Sequence, residues 1–240
     1  MSKLDGTRRK LVWAAGTGLL MVGAPAIVPG GEARIRRKTE PRSESKEEVT
    51  PPEDLMREHG VLDRVLLLYE AAIGKYQSNQ DFDPDLVTQS AEIIRDFINN
   101  YHEKSEETHL FPRFRQAGKM TDLVDTLLQQ HNAGRGVTQT ILTLVPGSRK
   151  DADDRKRLIA AMQSFIRMYR PHAAREDTEL FPMLHDLVSS NEYDAMAEEF
   201  EKKEHELFGE DGFEKMTAKV AALERQMGIN DLNQFPPLGY

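Results

Sequence analysis

The chain has 240 residues, a formal net charge of −8 and no cysteine. Without cysteine there are no disulfides, iron–sulfur clusters or thiolate ligands, so any metal must be held by nitrogen and oxygen. The acidic balance, about −11 once residues 1–26 are set aside, argues against nucleic acid, which calls for a basic face, and reads as a solvated acidic surface.

Residues 1–26 read as an export signal. Arg8-Arg9-Lys10 precedes an apolar stretch from Leu11 to Val22, and Ala24-Pro25-Ala26 supplies small residues for cleavage. Thr7-Arg8-Arg9-Lys10-Leu11 is similar to a twin-arginine signal. That resemblance implies export of a folded protein, to the periplasm, with its metal chosen in the cytoplasm. The choice matters because affinity alone favours copper and zinc over iron. The apolar run is short for a membrane span, so no stable span is expected after signal removal, while an uncleaved signal would act as an anchor. Residues 27–50 are rich in Arg, Lys, Glu, Ser, Pro and Gly and read as a disordered linker.

From there Glu, Lys, Leu and Ala recur at helical spacing, which predicts an all-α chain. Helix 1 opens with Thr50 as cap, Pro51 in the first position and Glu53 closing a capping box. Its stripe of Leu55, His59, Leu62, Leu66, Tyr69 and Ile73 turns His59 inward. Helix 2 begins at Asp83-Pro84 and carries Val87, Ala91, Ile94, Ile98, His102, Glu106 and His109 on one face. Helix 3 begins near Thr121, shows the stripe Val124, Leu128, His131, Arg135, Thr138, Leu142, and ends at Pro146-Gly147. Helix 4 follows the charged start Asp151–Asp154 and aligns Leu158, Met162, Phe165, Tyr169, His172, Glu176 and Glu179. Pro171 removes a backbone hydrogen bond within it. It is either a tolerated kink or a device that aims His172 and Glu176, and spacing leaves both open.

Ser190 or Asn191 caps a fifth helix, and Gly209 and Gly212 break it. A sixth segment carries Phe213, Met216, Val220, Leu223 and Met227 and is expected to pack on the bundle. Residues from Asp231 to Tyr240 read as a tail. The expected division is a signal at 1–26, a linker at 27–50, a four-helix bundle at 51–190 and a helical extension with tail at 191–240.

Two halves of the bundle carry the same pattern. His59 precedes His102-x-x-x-Glu106 and Leu110-Phe111-Pro112, and His131 precedes His172-x-x-x-Glu176 and Leu180-Phe181-Pro182. The lone histidines are 72 residues apart and the paired ones 70. Residues i and i+4 share a helix face, so each His–Glu pair can reach one metal centre. Taken alone, an inward histidine such as His59 reads as a satisfied core residue. Six polar groups left unligated in a core would be costly, so the set reads as a transition-metal site. His185 and His205 lack such a pattern and read as surface or packing residues. Phe111 and Phe181 read as core.

These residues resemble the hemerythrin-like, or HHE cation-binding, domain over roughly residues 51–190. Local wording carries the likeness: Arg57-Glu58-His59-Gly60, Glu106-Glu107-x-x-Leu110-Phe111-Pro112 and Tyr169-Arg170-Pro171-His172 with Glu176-Asp177-x-x-Leu180-Phe181-Pro182. The resemblance implies an up-down-up-down four-helix bundle holding two non-haem irons joined by an oxo or hydroxo bridge. It implies that His59, His102, His131 and His172 are terminal ligands and that Glu106 and Glu176 bridge. Two octahedral irons offer about twelve positions, of which these groups fill about ten, leaving room for a small molecule. Ferritin-like di-iron proteins use Glu-x-x-His and more carboxylates, and the reversed order here disfavours them.

The oxygen-carrying members have a second histidine four residues after that of helix 3, where this chain has Arg135. Arginine stays protonated and cannot ligate. His109, with Glu179 as its counterpart in the other half, is a candidate extra ligand or hydrogen-bonding neighbour of the site, and Glu58 is another such neighbour. The function expected is binding of oxygen, nitric oxide or peroxide for sensing, scavenging or storage. The alternatives are a redox enzyme reducing peroxide or nitric oxide or handling iron, and a structural bundle with a degenerate site. The missing fifth imidazole tilts the balance towards redox turnover. No nucleophile motif or nucleotide-binding loop is present.

Overall fold

The computed structural model describes residues 49–237. The expected export signal and nearly all of the expected linker lie outside the described residues. Among those described there are six helices and no strand.

Helix α1, Pro51–Gln77, starts as its sequence dictates. The Thr50 hydroxyl accepts from the Glu53 N–H, and the Glu53 carboxylate accepts from the Thr50 N–H at 2.9 Å. Helix α2 spans 85–117 and changes its winding. It is α over Asp85–Ile93, π over Ile94–His102, α over Glu103–Ser105, π over Glu106–Leu110 and α over Phe111–Ala117. Gly118, at φ 62°, ends it in the left-handed conformation that glycine adopts without strain. Helix α3 is Thr121–Leu144. Helix α4 spans 152–184, capped by Asp151, with Ala152–Arg175 α, Glu176–Leu180 π and Phe181–Leu184 α. Helix α5 is Ser190–Phe208 and α6 is Gly212–Met227.

Two local expectations differ from the structure. The cap of α5 is Ser189, not Ser190 or Asn191, because Ser189 alone has a glutamate, Glu192, three residues on to close the box. In α3 the innermost residues are Val124, Leu127, His131, Gly134, Thr138 and Ile141. Leu128, Arg135 and Leu142 lie at the edges of that seam, half-buried.

The apolar core forms two clusters. One holds Leu55 of α1, Phe111 and Phe114 of α2, Val124 and Leu127 of α3, Phe181 and Leu184 of α4, and Met196 and Phe200 of α5. The other holds Leu62–Tyr76 side chains of α1, Phe97 and Tyr101 of α2, Ile141 of α3, Phe165 and Tyr169 of α4, and Val220, Leu223 and Met227 of α6. In each helix the predicted ligands fall about where the residues of one cluster give way to those of the other. Helix α6 covers α1 and α2, and the Arg64 guanidinium donates twice to Glu224 at 2.8 and 2.6 Å. This cover explains why α1 buries a second stripe, Val61, Val65, Leu68 and Ala72, beside the expected one.

Candidate metal centre

Four helices each deliver part of one buried cluster. His59 comes from α1, His102 and Glu106 from α2, His131 from α3, and His172 and Glu176 from α4, all at most 4 % exposed. A π turn begins at each glutamate, where the Phe111 N–H donates to the Glu106 carbonyl and the Phe181 N–H to the Glu176 carbonyl. Pro112 and Pro182 follow at once. A proline has no N–H, and its ring collides with the carbonyl four residues back, so the wider turn relieves both conflicts. The repeated Leu-Phe-Pro thus sets the backbone under the glutamates. Pro171 lies within regular α-helix, and the matching π turn of α2 forms with Tyr101 in the equivalent place. The turn under Glu176 is therefore not made by Pro171.

The four imidazoles are held alike. The Nδ1–H of His59 donates to Asp177 at 2.7 Å, and that of His102 to Glu58 at 2.8 Å. That of His131 donates to Glu107 at 3.1 Å, and that of His172 to the Gln130 amide oxygen at 2.9 Å. Each residue before a lone histidine supports the histidine of the next helix. Each acid after a central glutamate supports a lone histidine. With Nδ1 carrying the proton, Nε2 presents a lone pair to the centre. The Nε2 atoms of His59 and His102 lie 3.0 Å apart, and those of His131 and His172 3.2 Å apart.

The two carboxylates link the histidine pairs. Glu106 reaches His102 at 3.6 Å with Oε1 and His131 at 3.4 Å with Oε2. Glu176 Oε2 lies 3.3 Å from His59 and 3.1 Å from His172. None of these contacts is aligned as a hydrogen bond, so four fully buried carboxylate oxygens have no donor. Such groups are very costly unless something positive satisfies them. Lone pairs of neutral imidazoles facing each other at 3 Å carry the same requirement. Two sets of ligand atoms fall within the reach of a single ion: His59, His102, Glu106 and Glu176, and His131, His172 and Glu176. The donor set, imidazole nitrogen with carboxylate oxygen, fits a first-row transition metal.

Protons take the cation's place in the metal-free chain. Burial works against charge on His59, but Asp177 and Glu176 outweigh it and lift its pKa to about 9. Burial, then the neighbouring His59 charge, pushes His102 well down. Burial and the charge of Glu176 push Glu106 well up. Glu176 resists burial because His172 and His59 hold it well below the usual carboxylate range.

Glu58 lies against a ligand, as expected of a hydrogen-bonding neighbour. Arg135 lies one step further out, its guanidinium 2.7 Å from Glu103 in an ion pair and donating to Glu107 at 2.6 Å. Glu107, opposed by burial but held by His131, Lys104 and Arg135, has its pKa drawn down to about 2. His109 is not brought to the cluster and packs edge-to-face on Phe200 at 5.5 Å. The π turn from Glu106 inserts a residue between them, so the α-helical spacing that put both on one face does not hold. Glu179 pairs with Arg175 at the surface. His185 lies against Tyr193, and both His185 and His205 are exposed.

Sequence spacing missed Asp177, Glu107, Gln130, Glu103 and Tyr169 as neighbours of the site. The Tyr169 hydroxyl donates to Glu103 at 2.5 Å, and Asn99 donates to the same carboxylate at 2.8 Å. A signal for two of them was present in the paired acids Glu106-Glu107 and Glu176-Asp177.

A family model described as the hemerythrin HHE cation binding domain matches residues 50–184. An uncharacterized protein of Mycobacterium bovis and another of Mycobacterium tuberculosis are each 43% identical over 225 residues, covering 93% of this chain and 88% of theirs. No solved structure matches.

Proposed function

The chain belongs to the hemerythrin HHE cation-binding family, and on that premise we propose that it is a non-haem di-iron protein that binds oxygen, nitric oxide or peroxide. The observation that carries this reading is the pair of buried carboxylates, each in contact with histidines of both sets and with oxygens that have no donor. His59 with His102, and His131 with His172, would hold the two ions, and Glu106 and Glu176 would lie between them. An up-down-up-down course of α1–α4 is supported by the order in which successive helices pass from one apolar cluster to the other.

Iron bound there would supply reversible or redox binding of a small molecule at the coordination positions the protein leaves open. The chain's own part is to fix four imidazoles by their Nδ1 partners, to keep two carboxylates dry, and to exclude bulk water with the two apolar clusters. Arg135 at the place of a fifth histidine leaves one imidazole fewer, which favours redox turnover as the second reading. The expected leader at residues 1–26 supports export of the folded, loaded protein.

Anaerobic iron loading, followed by metal analysis and absorption spectra before and after oxygen, tests this. Two irons per chain, with bands that appear on oxygen exposure and reverse on its removal, support the binding protein. Two irons that oxidise once and stay oxidised support the enzyme. Failure to hold two irons sinks both.

A further inference from the structure

The four supporting hydrogen bonds repeat between the two halves except at one place. His102 is backed by the carboxylate of Glu58, whereas its counterpart His172 is backed by the neutral amide of Gln130. We propose, resting on the two-metal reading above, that the two metal positions are inequivalent: the His59/His102 position is the tight one and fills first, and the His131/His172 position is the weak, exchangeable one.

Two independent observations point the same way. The first is the charge behind the ligands. Both histidines of the first position donate to carboxylates, Asp177 and Glu58. Glu58 also lies in a buried group of acids with Asp54, which pairs with Arg57 at 3.6 Å, and Glu204, which accepts from the Phe213 N–H at 3.0 Å. Behind the second position two acids, Glu103 and Glu107, are matched by two cations. Arg135 pairs with both, and Lys104 lies 2.5 Å from Glu107. A carboxylate on the far N–H makes an imidazole more basic, and negative charge nearby favours a bound cation. The neutral amide of Gln130 does less of each.

The second observation is the ligand count. Four ligand atoms converge within reach of one ion at the first position, from His59, His102, Glu106 and Glu176. Three converge at the second, from His131, His172 and Glu176, with Glu106 touching it through the Oε2 atom 3.4 Å from His131. The arginine standing where a further imidazole is expected follows His131, so the second position is also the one that lacks it. A one-metal form is then a stable species when metal is scarce.

Titration of the full metal-free chain with Co(II), followed by calorimetry and by the visible spectrum of the ion, tests this. Two uptake steps at least tenfold apart in affinity are expected. His172→Ala should keep the tight step, and His102→Ala should lose it. Gln130→Glu, at a half-buried site, should tighten the weak step on the order of tenfold, and Glu58→Gln should weaken the tight step by about 10–100-fold. If the Glu58 variant does not fold, the Gln130 variant still decides. Equal affinities in the parent chain, or a weak step that Gln130→Glu leaves unmoved, would overturn the inequivalence while leaving the two-metal reading intact. No Co(II) uptake at all would overturn both.

Discussion

The Nε2 atoms of His59 and His102 face each other at 3.0 Å, while each ring donates its Nδ1 proton to a carboxylate, Asp177 or Glu58. Two acceptors cannot bond to one another, so the geometry calls for a cation between them. In the metal-free chain a proton on His59 serves. In a loaded chain a metal ion would replace it.

That exchange sets a pH dependence for the metal-free protein. His59 titrates near 9 in the fold and near 6.5 when unfolded. A raised pKa contributes stability that is fully present below the unfolded value and is lost as pH rises through the folded one. Urea midpoints of the metal-free protein should therefore fall between pH 6.5 and 9, by up to about 3 kcal/mol of unfolding free energy. Asp177→Asn should flatten the fall. A parent curve that is already flat across this range would contradict the account.

Glu176 touches histidines of both pairs. Glu176→Gln should bring metal uptake below two ions per chain and remove most of the thermal stabilisation that metal provides. That stabilisation in the parent is about 3 kcal/mol at a metal concentration 100 times the dissociation constant. Elemental analysis and melting with and without metal check both.

Pro112 and Pro182 each stand just after a π turn that begins at a central glutamate. Substitution by alanine restores an N–H and removes the ring, which permits ordinary α winding. The double variant Pro112→Ala/Pro182→Ala should keep its helical content while losing about tenfold or more in metal affinity, because both glutamates rotate. Unchanged affinity would show that the turns are not what aims them.

Gly134 leaves room for the Tyr169 hydroxyl, and a Cβ there would meet it at 2.0 Å. Gly134→Ala should destabilise the protein by about 1–3 kcal/mol despite alanine's better helix propensity. Removing the hydroxyl in Gly134→Ala/Tyr169→Phe should recover part of this loss. A double-mutant cycle in urea measures the coupling, and simple additivity would reject the contact as its cause.

Much of this protein was legible along the chain. The capping box at Thr50, the inward stripe through His59, and the repeated His-x-x-x-Glu are set by contacts within one or two helical turns, where spacing alone decides which side chains meet. So the six central residues could be named in advance. His109 shows where that logic stops. It shares a face with Glu106 only if the winding stays α, and the proline at 112 changes the winding between them. Glu58 could be named as a neighbour of the site, but which imidazole each supporting residue meets was beyond spacing. Asp177 holds His59 across 118 positions, Glu58 holds His102 across 44, and Gln130 holds His172 across 42. Which helix lies beside which, and hence which acid meets which imidazole, follows from burying the apolar faces of α1–α6 together. The residue types needed for a metal are thus written in the sequence. The charge placed behind each ligand, and with it the difference between the two halves, is decided only when the helices pack.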